Sequence, residues 1–196
     1  MREYEFSIIV SGADPADEHF EDRFFDAGCD DATLMLCQGA VAVCFIREAD
    51  DFARAILSAC RDIARAGATI ERLEPDFLVS QAEIAARANL TRSAISNYVS
   101  GARGSDFPRP HARVTTASPL WDWVDVASWL YRQDAVSLEA VIEARVTRAM
   151  NLALESGSSA RPSLGRLEAI LVDAVRLSGS SPPPKSPPQP PPSSRP

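Results

Sequence analysis

The sequence predicts an α+β chain, and three observations predict it. Residues 1–76 alternate between strand and helix periodicity in the order strand, helix, strand, strand, helix, strand. Residues 80–101 then carry two closely spaced helix starts, each marked by a hydroxyl residue. From residue 132 onward the apolar residues recur at helical spacing until a Pro-rich stretch begins.

The first strand shows Tyr4, Phe6, Ile8 and Val10 in strict alternation. Asp14-Pro15 reads as a helix start, with Asp as cap and Pro in the first turn. Phe20, Phe24 and Ala27 form that helix's stripe, and Gly28 ends it. Strands over 33–37 and 40–46 are joined by Gln38-Gly39, a two-residue hairpin turn. That register puts Leu34, Leu36, Val41, Val43 and Phe45 on one face. Asp50 or Asp51 caps a second helix with the stripe Phe52, Ile56, Ala59, Cys60 and Ile63, and Gly67 terminates it. Residues 69–73 alternate weakly, as an edge strand does. This order resembles a ferredoxin-like sandwich, in which both helices lie on one face of an antiparallel sheet. The other face would carry Met35, Cys37, Ala40, Ala42, Cys44 and Ile46, too apolar a set for open solvent. A second protomer, making a homodimer, or the rest of the chain is expected to cover it. No charged or hydrogen-bonding cluster marks a pocket there, and no small-molecule effector can be named.

Two short helices follow. Ser80 caps the first, Asn89 takes the turn, Thr91 caps the second and Gly101 stops it. Ile84, Ala88, Leu90, Ile95 and Tyr98 converge between them, with small Ala85 at the close approach. The outward positions of the second helix are Thr91, Arg92, Ser93, Ser96 and Asn97: polar, with one cation and no acid. Gln81, Ala85, Leu90 and Ile95 with this polar face resemble the helix-turn-helix of bacterial DNA-binding proteins. The departure is Asn89, where Gly is usual.

After Gly101, the residues Gly104, Pro108 and Pro110 forbid a continuous helix. Residues 112–116 read as a short strand with Leu120 and Trp121 as its partner. Val126, Trp129 and Leu130 recur at helical spacing on a helix starting near Val124 or Asp125. Phe107-Pro108, the basic hairpin, Leu120-Trp121 and this helix resemble the winged helix-turn-helix of MerR-like and excisionase-like regulators. Val124 stands where that pattern has a Ser or Thr cap. The resemblance spans about residues 77–131. It implies a wing along the phosphate backbone and a major-groove helix, with double-stranded DNA as partner.

Charge placement agrees. The chain carries a net charge of −7. Residues 1–76 hold 7 Arg and 17 Asp/Glu, or −10, whereas residues 77–113 hold five Arg and two acids, or +3. The basic block coincides with the helices and the hairpin. In this reading Arg92, Ser93, Ser96 and Asn97 face bases, Thr91 lies beside them, and Gln81, Arg103, Arg109 and Arg113 hold the backbone. His111 lies in the hairpin, within reach of a phosphate.

Other chemistries are not suggested. Cys29, Cys37, Cys44 and Cys60 match no zinc spacing, and with two His no metal site is expected. Buried, reduced thiols are the expectation, and in the hairpin Cys37 lies opposite Ala40 and Cys44 opposite Thr33. His19, in an acidic stretch, is expected at the surface. Asp30-Asp31 and Asp50-Asp51 sit at turns and helix starts, where capping explains them. No catalytic constellation and no cofactor are expected.

Ser137 caps a helix to about Glu155 with the stripe Leu138, Val141, Ile142, Val146, Ala149 and Leu152, and Gly157-Ser158-Ser159 breaks it. Leu164, Leu167, Ile170, Leu171 and Val175 form a further stripe. The two stripes suit a dimerising helix or a cap on the N-terminal sheet. Residues 178–196, with nine Pro, predict a disordered or polyproline tail. No signal peptide or membrane span is seen, so a cytoplasmic location is expected. The units are thus 1–76, 77–131, 132–177 and 178–196. The expected function is sequence-specific DNA binding by a transcriptional regulator. The alternative is an antitoxin-like or adaptor module that uses the same fold on protein.

Overall fold

A computed structural model describes residues 1–156 and 162–179. The expectations for the 157–159 break and for most of the 178–196 tail lie outside the described residues. The chain is α+β, with a four-stranded antiparallel sheet and, among the described residues, seven helices. The N-terminal part runs β1 (Arg2–Ser11), α1 (Phe20–Asp26), β2 (Ala32–Cys37), β3 (Ala40–Ala49), α2 (Phe52–Arg65) and β4 (Thr69–Glu74). The sheet order is β2-β3-β1-β4.

Local chemistry sets these elements. The alternating Tyr4, Phe6, Ile8 and Val10 are all buried. Gln38 and Gly39 both take positive φ, 52° and 83°, as a tight two-residue hairpin turn requires. The register follows: Cys37 faces Ala40, Met35 faces Ala42 and Thr33 faces Cys44. Asp51 caps α2 through a 2.8 Å bond from Arg54 N–H. The α2 stripe Phe52, Ile56, Ala59, Cys60 and Ile63 is buried against the sheet. Each such large aliphatic side chain contributes about 1.5–3 kcal/mol.

The start of α1 differs from expectation. Asp14 does not cap a helix; its carboxylate accepts from Ala16 N–H, and Asp17 accepts from His19 N–H. Asp17 takes the His19 N–H that a helix begun at Asp14 would aim at Pro15 O, and α1 begins at Phe20.

The second part begins with β5 (Leu78–Val79), α3 (Gln81–Arg87) and α4 (Arg92–Val99). After a long loop come β6 (Trp121–Asp122) and α5 (Trp123–Arg132). β5 and β6 pair, and the apolar faces of α3, α4 and α5 meet in a second core around Ile84, Ile95, Trp121, Val126, Trp129 and Leu130.

Two long helices close the chain, α6 (Leu138–Ser156) and α7 (Leu164–Gly179). The α6 helix joins the cores. Its Val141 and Ala144 belong to the second core, and its Val146, Met150 and Leu154 to the first. Leu138 and Leu152 of the expected stripe are exposed instead, because a helix serving two cores cannot bury one straight stripe. Leu167, Leu171 and Ala174 of α7 also enter the first core, on its helical side.

The outer sheet face is therefore not covered by the rest of the chain. Met35 is 48 % and Ile46 55 % exposed. Cys37 is exposed and Cys44 half-buried, so the expectation of four buried thiols holds for Cys29 and Cys60 alone. On the helical side, Arg47 is buried beneath a bidentate pair with Asp31 and a 2.7 Å bond to Asp62. It also donates to Gly28 O and Ser58 Oγ.

Candidate nucleic-acid interface

The α3–α4 pair is set by its caps. Ser80 and Glu83 form a reciprocal capping box: Glu83 N–H donates to Ser80 Oγ, and Ser80 N–H to Glu83 Oε2 at 2.7 Å. Asn89 takes φ 52°, and Leu90 N–H returns to Ala85 O at 2.8 Å, closing α3. Asn thus fills the left-handed position where Gly is usual. Thr91 Oγ1 accepts from Ala94 N–H at 3.1 Å and starts α4. Gly101, at φ 73°, ends it.

These caps decide which way α4 faces. Ile95 and Tyr98 point into the core, and Thr91, Arg92, Ser93, Ser96 and Asn97 are all exposed. Gln81, on the first turn of α3, is half-exposed.

The loop after α4 is irregular but anchored. Trp129 Nε1 donates to Ser105 O at 3.0 Å, and Trp121 Nε1 to Pro108 O at 3.1 Å. Tyr98, Phe107 and Trp129 form an aromatic cluster with ring centroids 4.9–6.1 Å apart. Arg103 extends from this loop with its guanidinium 5.6 Å from the Tyr98 ring. The Arg103 backbone N–H donates to Asn97 O, so Arg103 stands beside the end of α4.

The expected strand over 112–116 is not formed. Ala112 makes a single bridge to Leu120. Arg113 then takes φ 52°, and Thr116 N–H bonds Arg113 O, turning the chain at once. Trp121 pairs with Val79 instead, so the bridge closes an exposed loop over 113–119. Arg109, His111 and Arg113 are exposed on this segment.

The start of α5 is also corrected. It begins at Trp123, capped by Asp122, whose Oδ1 accepts from Val124 N–H at 2.8 Å. A side chain two residues before Val124 thus supplies the cap. Asp122 Oδ2 also pairs with Arg148 of α6 at 3.0 Å.

The five arginines of residues 77–113 divide. Arg87 is half-buried over Trp123, 5.6 Å from the ring, and burial holds its guanidinium below the ordinary pKa. Arg92, Arg103, Arg109 and Arg113 are exposed, and among the described residues none of them is ion-paired. Each of the seven arginines in residues 1–76 does have an ion-pair partner. Net charge alone did not reveal this contrast.

Comparison with protein families, with curated proteins and with solved structures finds no match to this chain. Among the described residues no group of three or more His, Cys, Asp or Glu is placed to hold a metal, and no helix is long and apolar enough to cross a membrane.

Proposed function

We propose that this chain is a sequence-specific DNA-binding protein, a transcriptional regulator that reads the major groove with α4. In this reading it joins a ferredoxin-like domain to a winged helix-turn-helix. The sheet order β2-β3-β1-β4 supports the first part. The capped α3–α4 pair and the closed 113–119 loop support the second.

One observation carries the functional reading. The exposed face of α4 is polar and free of acids, and beside it in the chain stand arginines that, among the described residues, have no carboxylate partner. Unpaired guanidinium groups suit phosphates, whose condensed counterions they displace. Asn and Arg on a groove-facing helix suit the bidentate pattern of adenine and guanine. Asn97 and Arg92 take those roles, with Ser93, Ser96 and Thr91 at the flanks. Gln81, Arg103, Arg109 and Arg113 hold the phosphates. The acidic N-terminal half repels DNA at long range, which leaves discrimination to base contacts.

Selection of bound sequences from a random double-stranded pool, using the full chain, tests this. A recovered motif supports the reading. No enrichment, together with a stable hetero-complex on pull-down, would replace it with a protein-interaction module of the same fold.

A further inference from the structure

The two edges of the four-stranded sheet are treated in opposite ways. At the β4 edge, Asn151 of α6 takes both backbone groups of Leu73 through its side-chain amide. Charged Glu71, Arg72 and Glu74 line the same strand. That edge is closed to a further strand.

The β2 edge has no such protection. Its six residues, ATLMLC, include no charge, no Pro and no Gly, and β2 pairs with β3 without a bulge. The two-residue turn makes Cys37–Ala40 a hydrogen-bonded pair, so Cys37, Met35 and Thr33 spend their backbone groups on β3. Ala32, Leu34 and Leu36 therefore turn theirs outward. The Ala32 N–H is already taken by Cys29 O at 3.1 Å. Leu34 and Leu36 remain, and the side chains of Met35 and Leu36 are 48 % and 67 % exposed.

We propose that β2 is a dimerisation strand, pairing antiparallel with β2 of a second copy of this chain about a twofold axis at Met35. In that register Leu34 exchanges backbone bonds with Leu36 of the other copy, twice. Met35 meets its own symmetry mate, and Thr33 meets Cys37. The ladder uses the outward groups that are free. The neighbouring register, centred on Leu34, would need the Ala32 N–H that Cys29 already holds, and would bring Asp31 into the pairing.

The sequence of the edge selects the occupant, and local charge does not oppose it. Two copies of a −7 chain repel, so a self-pairing edge must set no like charges opposite each other. The stretch 33–37 meets that condition at every position. It also reads as its own complement, Leu on either side of Met. A short ladder buries less than a standard interface of about 1,600 Å², so the dimer is a weak one. The proposal does not depend on the DNA-binding reading.

Sedimentation of the full chain, from micromolar to about 1 mM, tests it. The wild type is expected to pass from monomer to dimer with concentration. Met35→Lys places two ammonium groups opposite each other and is expected to weaken association by about tenfold or more, with an unchanged circular dichroism spectrum. The register is tested in a Cys37→Ser, Cys44→Ser background. A non-hydrogen-bonded antiparallel pair sits about 4.5 Å apart at Cα, within disulfide range. Met35→Cys is therefore expected to cross-link two chains on oxidation, and Thr33→Cys is not. A wild type that stays monomeric throughout, dimerisation unaffected by Met35→Lys, or failure of Met35→Cys to cross-link overturns the proposal.

Discussion

Asn151 and Leu73 are joined as two strand residues would be, although one of them lies in a helix. Leu73 N–H donates to Asn151 Oδ1 at 2.8 Å, and Asn151 Nδ2 donates to Leu73 O at 2.9 Å. Both residues are buried. The α6 helix thus ends the sheet and at the same time links it to the second core. Asn151→Ala removes both partners at once and strands a buried N–H and a buried C=O. The expected cost is about 2–4 kcal/mol in urea unfolding. A loss below about 0.5 kcal/mol would mean that water replaces the amide.

The buried thiols set an alkaline limit. Burial pushes the Cys60 thiol up to about 12 and the Cys29 thiol up to about 11. In the unfolded chain both ionise near pH ~8.5. The folded state keeps its protons longer, so their contribution is complete below pH ~8.5 and is lost as pH rises through the folded values. Each thiol removes about 1.4 kcal/mol per pH unit in that window. Unfolding free energies between pH 8 and 10.5 should fall, and Cys60→Ala should remove about half of the thiol part of the slope. Identical slopes in the two proteins would contradict this.

Gly104 holds the loop after α4 against Trp129. It takes φ 76°, and an added Cβ would lie 3.0 Å from Trp129 Cζ2. Trp129 is buried and its Nε1 is bonded to Ser105 O, so it cannot yield. Gly104→Ala is expected to cost about 1–2 kcal/mol from the disfavoured backbone and the crowding. Tryptophan fluorescence should report the change before global unfolding. A variant with wild-type stability and emission would show that the loop is not anchored there.

How legible this was depended on range. The hairpin at Gln38-Gly39 and the α2 stripe were readable because turn chemistry and periodicity are local. The polar face of α4 was readable for the same reason, and all five of its named residues are exposed. What was missed is side-chain competition and long-range pairing. Asp14 and Asp17 spend their carboxylates on turns, which periodicity does not register. Trp121 chose Val79, more than forty positions away, over its neighbours in the 112–116 stretch. Asp122 caps α5 from two residues before Val124, where the family pattern has its Ser or Thr, so the helix start could not be read from that pattern. Which arginines were free of ion pairs could not be read at all, since pairing is decided by the fold.

The division of labour on DNA separates two variants. Asn97 is exposed on α4, and under the proposed reading its amide makes a bidentate contact to adenine. Asn97→Ala should therefore cost about 1–3 kcal/mol on the selected site and little on random DNA. Arg103 lies near Tyr98 outside the helix, and under the same reading it contacts phosphate. Arg103→Ala should weaken every sequence alike and lower the salt slope by about one counterion. With few unpaired arginines available, the wild-type slope should stay well below ten. Binding curves for both variants, on selected and random duplexes at several salt concentrations, decide the matter. If the two variants lose the same affinity on both duplexes, α4 is not reading bases.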